Sequence, residues 1–221
     1  TSMLEHSREL YFSLDLIAFL ATIVMHVIKT NRNLIRLYLL QSLVVGIFLL
    51  SLGLTEGNNG LIFVAGLTLL IKVVLAPIFF SRLVRRYGTR FTVNNYLSTP
   101  LTLIVLTALV LFSYSRVFLP LSILVPEALG LFPLNLAVIL ISIFMLINRR
   151  GAFSQMIGIL SLENSILLLA AFIGIKQPLA LEVGIIFDIV IWMIIAQVFI
   201  SMIYKQFGSL NVTQMKRLIE E

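Results

Sequence analysis

The sequence predicts an all-α fold, a polytopic transmembrane helix bundle of about seven spans, and three observations predict it. Side chains are 60% hydrophobic and only 12% charged, with a mean hydropathy of +1.08. Apolar runs of about 17 residues or more recur along the whole chain, more than a water-soluble core of 221 residues absorbs. Lys and Arg gather in every second connection between those runs, as they do in cytoplasmic loops.

Seven stretches are long enough to cross about 30 Å of hydrocarbon at about 1.5 Å per residue. The first, residues 10–28, follows Glu5, Arg8 and Glu9 rather than a basic leader. No small-residue cleavage pattern follows it, so it is expected to stay as a span. The second covers 34–53, the third 60–81 and the fourth 97–115. Pro126 and Pro133 break the start of the fifth, 128–147, which predicts a kinked or interfacial beginning. The sixth covers 152–174 and the seventh 179–204. The expected organisation is a single membrane domain over 1–221. Within it, 10–81 is a first three-helix unit, 97–115 a connecting helix, 128–204 a second three-helix unit and 205–221 a cytoplasmic tail.

Basic residues follow spans one (Lys29, Arg32, Arg36), three (Arg82, Arg85, Arg86, Arg90) and five (Arg149, Arg150), and the tail adds Lys205, Lys216 and Arg217. The alternate loops hold Glu56, then Arg116 with Glu127, then Lys176 with Glu182. This pattern places the N-terminus outside and the C-terminus in the cytoplasm of a multi-pass protein in the cell's inner (cytoplasmic) membrane. It also absorbs most of the net charge of +6, leaving no call for a nucleic-acid partner. The absence of cysteine removes disulfides, iron–sulfur clusters and thiolate metal sites, and His6 and His26 are too few for a paired haem site. No cofactor is expected in this chain. Catalysis within the membrane is disfavoured as well, because the spans carry no His-Glu metal motif and no Gly-x-Ser-x-Gly turn.

Four ionisable residues fall inside predicted spans: Asp15, Lys72, Glu163 and Asp188. A charge at mid-membrane costs at least about 2.5 to 3.5 kcal/mol, so each needs a partner, water or a neutral form. Lys72, Glu163 and Asp188 are expected near the midplane, and Asp15 closer to the outer surface. Burial favours neutral forms and an opposite charge favours ionised ones, so such a set has the chemistry of a proton relay. Pro77 denies a hydrogen bond to the Val73 carbonyl, beside Lys72, and predicts a kink able to hold water. The alternative is that Lys72 snorkels, or pairs with Asp188 or Glu163 only to lock helices together. Asp15, Thr22 and His26 share one stripe of span one. The simpler expectation is that Asp15 reaches the outer headgroups and His26 the inner ones, with Thr22 bonded back to its own helix. The sharper one is a polar path across the membrane.

A weak internal repeat relates the first three and last three spans, with NRNLIRLYLLQSLVVGIFLL loosely matching NRRGAFSQMIGILSLENSILLL. On this overlay Gln41 falls near Glu163, and Lys72 corresponds to Asp188. Spans five to seven resemble the K subunit of respiratory complex I and the C subunit of multisubunit sodium/proton antiporters. The likeness rests on the Arg149–Arg150 turn, the segment IGILSLENSILLLAAF with its membrane glutamate, and a third helix with a second acid. Asp188 stands where those families carry glutamate. The basic motif IKVVLAPIFFSRLVRR and the tail FGSLNVTQMKRLIEE make the whole chain resemble component E of the hydrogenase-4 type, a membrane subunit of formate hydrogenlyase-like complexes.

That resemblance implies a non-catalytic subunit that helps translocate protons or sodium ions through Glu163, Asp188, Lys72 and Asp15. It implies large antiporter-like subunits as neighbours in the lipid bilayer, and a soluble hydrogenase or dehydrogenase arm that carries the iron–sulfur clusters. Two other functions compete with it: a C-like subunit of a stand-alone cation/proton antiporter, and a structural subunit whose charges only pair across helix interfaces.

Overall fold

The computed structural model describes residues 2–87, 94–124 and 130–174, together with isolated helical positions at Ile191, Ile194, Ile195, Val198 and Ser201. Asp188, most of the seventh predicted span and the tail lie outside the described residues. Among those described, every regular element is helical and no strand forms.

α1 (Ser2–Val27) and α2 (Asn31–Glu56) form the first hairpin. α2 stops at Gly57, whose φ of 61° lies in the left-handed region that glycine tolerates and whose N–H bonds to the Gly53 carbonyl. Asn58 then starts α3 (Asn59–Thr68) by accepting from the Gly60 and Leu61 amides at 2.9 and 3.2 Å. The third span continues through a π-helical segment (Leu69–Leu75) into α4 (Ala76–Tyr87). After the basic loop come α5 (Thr99–Ser113), a 3₁₀ segment (Arg116–Leu124), α6 (Phe132–Asn148) and α7 (Ala152–Gly174).

Among the described residues four helices are long and apolar enough to cross a membrane: Glu9–Val27, Asn31–Glu56, Asn59–Arg82 and Phe153–Ala171. α5 and α6 are apolar but shorter, about 22 and 25 Å at 1.5 Å per residue. The fourth and fifth spans are therefore narrower than the sequence expectation, for a local reason in each case. Pro100 lies in the first turn of α5 and fixes its start at Ser98. Pro133 does the same for α6, so the helix begins at Phe132 rather than near 128.

Within the bundle α2 is central, touching α1, α3, the π segment, α4 and α7, while α6 packs on α1, α5 and α7. Lipid tails are as apolar as leucine, so close packing and interhelical hydrogen bonds hold these helices together. At Gly46 a Cβ would overlap the side chain of Leu69, so the absence of a side chain brings α2 against the π segment. The buried apolar side chains fall into two clusters. One joins Leu14 and Ala18, Val44 to Leu52 of α2, Leu61 to Ala65 of α3, and Leu167 to Ala171 of α7. The other joins Met25, Leu34 to Tyr38, Ala76 and Phe80, Met145, and Phe153 to Leu160, with Ile191 and Ile195 packed into it. On α1, α2, the third span and α7 alike, buried polar residues lie between the two clusters: Thr22, Gln41 and Ser42, Thr68 and Lys72, and Ser161, Glu163, Asn164 and Ser165. A polar layer thus crosses the bundle between two apolar ones.

Candidate functional site

Polar residues in that layer are arranged around Lys72. Lys72 and Glu163, each 1% exposed, form an ion pair between the π segment and α7. The ammonium also donates to Asn164 Oδ1 at 3.2 Å. The Asn164 amide donates onward to Ser42 Oγ at 3.0 Å and Gln41 Oε1 at 3.4 Å. Gln41 Nε2 donates to Thr22 Oγ1 at 3.0 Å, and the Thr22 hydroxyl donates to the Ala18 carbonyl at 2.7 Å. One hydrogen-bonded chain therefore runs from the lysine cation through α7 and α2 to the backbone of α1. Beyond the ion pair, neither Glu163 oxygen has a hydrogen-bond partner among the described residues.

Local geometry explains how Lys72 reaches this position. Pro77 has no N–H, and the expected consequence was a kink at Val73. At this turn the helix changes register: Ala76 N–H bonds to the Ile71 carbonyl, five residues back. In that register the missing Pro77 N–H falls opposite the carbonyl of Lys72 itself. The span stays continuous from Asn59 to Arg82, and its distortion is concentrated on the turn that carries the charge. A cavity of about 60 Å³, lined by Phe63, Leu67, Thr68, Ile71, Lys72 and Leu167, leads to the same turn and is large enough for a water molecule.

Asp15 is placed differently. It is fully buried rather than reaching the outer headgroups, which corrects the simpler expectation for span one. The helix face that carries Asp15 packs against α6, where Asn135, also fully buried, interacts with its carboxyl. Tyr114, just past α5, lies within electrostatic reach as well. No cation pairs with Asp15 among the described residues, where Lys72 and Glu163 form the ion pair. Tyr114 also lines a cavity of about 270 Å³ with Ser113, Ser115, Phe118, Phe132 and Pro133.

His26 is likewise buried rather than at the inner headgroups. Its Nε2 hydrogen-bonds to the Ile141 carbonyl at 3.0 Å, and its ring stacks on Phe144 with centroids 5.3 Å apart. Thr22 bonds back to its own helix as expected, yet it also terminates the chain from Lys72. The structure therefore joins Lys72, Glu163 and Thr22 in one layer and holds Asp15 apart, with Asp188 outside the described residues.

Comparison with known proteins adds a relative without a function. The uncharacterized protein Rv0085 of Mycobacterium tuberculosis (strain ATCC 25618 / H37Rv) is 24% identical over 189 residues, covering 85% of this chain and 86% of its own. No family model matches, and no solved structure matches. The similarity spans nearly the full length of both chains and assigns no activity.

Residues not predicted from the sequence as site members complete the site, although the repeat overlay sets Gln41 near Glu163. Asn164 is the hub of the layer, and Gln41 and Ser42 are its bridge. Buried amides in a membrane helix must find partners just as charges must, and that was the available signal for Gln41 and Asn164. Arg149 reads from sequence as one of many cytoplasmic charges. It is instead 1% exposed, and its guanidinium donates to the Met25 and Ile28 carbonyls at the end of α1.

Proposed function

We propose that this chain is a non-catalytic, ion-translocating membrane subunit of an energy-converting complex of the hydrogenase-4 or formate hydrogenlyase type, related to complex I. The ion is a proton or sodium. The observation that carries the proposal is the Lys72–Glu163 pair in a polar layer between two apolar layers, set on a π-distorted turn that a water-sized cavity reaches. The resemblance of the Glu163 segment, the Lys72–Pro77 segment and the tail to component E supports it.

In this mechanism a proton arriving at Glu163 neutralises the carboxylate and releases Lys72 from its counter-charge. Lys72 then gives up its proton to water in the adjacent cavity or to a carboxylate on a neighbouring subunit, and transfer of the Glu163 proton to the neutral Lys72 amine restores the pair. The amide chain through Asn164, Gln41 and Thr22 fixes the ammonium in place, because amides hold a geometry well and carry protons poorly. Asp15 at the outer end and Asp188 on the seventh span are the proposed further stations. Seven spans, with the N-terminus outside and the C-terminus in the cytoplasm of the inner membrane, complete the reading. Its partners are antiporter-like membrane subunits and a soluble hydrogenase or dehydrogenase arm.

A second reading, a structural assembly subunit, is favoured by the same hydrogen-bond chain, which ties α1, α2, α7 and the π segment together. Glu163→Gln separates the two in the assembled complex. The relay predicts a normal redox rate in the complex that assembles, with ion uptake per complex lost. The structural reading predicts less complex recovered but undiminished uptake per complex.

A further inference from the structure

The end of the bundle that holds the α1–α2 and α6–α7 turns carries a second built site. There the segment before α5 is clamped to the α6–α7 turn. Tyr96 N–H donates to the Asn148 carbonyl at 2.8 Å, Leu97 N–H to Asn148 Oδ1 at 3.0 Å, and Arg150 N–H to the Asn94 carbonyl at 3.0 Å. Asn95 Nδ2 donates to the His26 carbonyl at 3.0 Å, and Arg150 lies over the Tyr96 ring, 4.7 Å from its centroid. The clamp frames a cavity of about 440 Å³.

Among the described residues three cations line that cavity, Lys29, Arg149 and Arg150, and no acid does. Lys29 and Arg150 are exposed, as loop topology signals usually are, but Arg149 is not. Its Nη2 caps the end of α1, while its Nε is buried without a partner among the described residues. Burial holds the Arg149 guanidinium down to about 10, and no carboxylate among the described residues opposes that shift. The N-terminus of α5 lies at the same cavity through Ser98 and Thr99, and the Ser98 side chain does not cap its first turn. Arg149 with its unpartnered buried N–H, two exposed cations and the start of α5 line one space. Each of them favours an oxyanion with several acceptors, which is the chemistry of phosphate.

We propose that this cavity binds a phosphate group, supplied by the headgroup of an anionic phospholipid, and so fastens the α1, α5 and α6 ends to the membrane surface. A free phosphate anion offers the same chemistry in solution, and the experiment separates the two sources. The site is independent of the ion-translocation reading.

The test uses the full chain purified in mild detergent and mixed with equal parts of phosphatidylglycerol and phosphatidylcholine. Retained lipid is counted by native mass spectrometry. The expected result is selective retention of phosphatidylglycerol, weakened about tenfold or more in Lys29→Gln/Arg150→Gln. Arg82→Gln/Arg85→Gln removes the same charge from exposed positions on α4 and is expected to leave retention unchanged. A parallel series reads the thermal midpoint against inorganic phosphate without added lipid. A rise there, absent from Lys29→Gln/Arg150→Gln and with no lipid preference, upholds the phosphate site and assigns it a soluble ligand. Equal losses in both double variants, or neither a lipid preference nor a phosphate shift, overturn the site.

Discussion

Two buried acids in this chain meet opposite solutions to the same problem. Glu163 shares the polar layer with Lys72 and a hydrogen-bond chain that reaches three other helices, whereas Asp15 faces the Asn135 amide with no cation paired to it among the described residues. A paired acid in a low-dielectric interior is held by its partner and penalises removal of either one. A solitary acid has little to lose by becoming an amide. The contrast separates charges that fasten the fold from a charge that the fold merely tolerates, and substitutions at each place can widen or erase it.

The largest effect is expected from Lys72→Met, which leaves Glu163 buried without its counter-charge. It should destabilise the chain by about 3 to 5 kcal/mol, measured by denaturant unfolding in detergent. Combining it with Glu163→Gln removes both charges and should recover most of that loss, and a double variant as unstable as the single one would erase the contrast. Next comes Gly46→Val, which forces a side chain into Leu69 and should cost about 1 to 3 kcal/mol by displacing the turn that presents Lys72. Asn164→Ala should cost about 1 kcal/mol, the upper range of single hydrogen bonds between membrane helices. Asp15→Asn should change stability least, within about 0.5 kcal/mol. A loss at Asp15 as large as that at Lys72 would mean that Asp15 has a strong partner after all.

Much of this arrangement could be read from the sequence, for reasons that particular residues make plain. Long apolar runs announce α1, α2, the third span and α7, since nothing but a spanning helix hides about 20 apolar residues in a row. Lys72 and Glu163 announce themselves because a charge in such a run is expensive. What sequence could not supply was depth of contact. Arg149 and Arg150 are adjacent and chemically alike, yet one is buried beneath the end of α1 and the other stacks on Tyr96, a difference fixed by tertiary packing alone. The stripe of Asp15, Thr22 and His26 was visible, but its partners Asn135, Gln41 and Ile141 sit on other helices. Pro77 signalled a local disturbance correctly. What the sequence left open was the form of that disturbance, a change of register on the segment that packs against α2 at Gly46.

The proposed relay is tested most directly by a variant that keeps the fold and removes the titratable pair. Lys72→Met/Glu163→Gln, placed in the assembled complex in sealed inverted membrane vesicles, is followed for redox turnover and for ion uptake per turnover. The account predicts normal assembly and redox rate with uptake reduced at least about tenfold, the loss expected when a required proton-transfer group is removed. Uptake per turnover equal to that of the unaltered complex would contradict it.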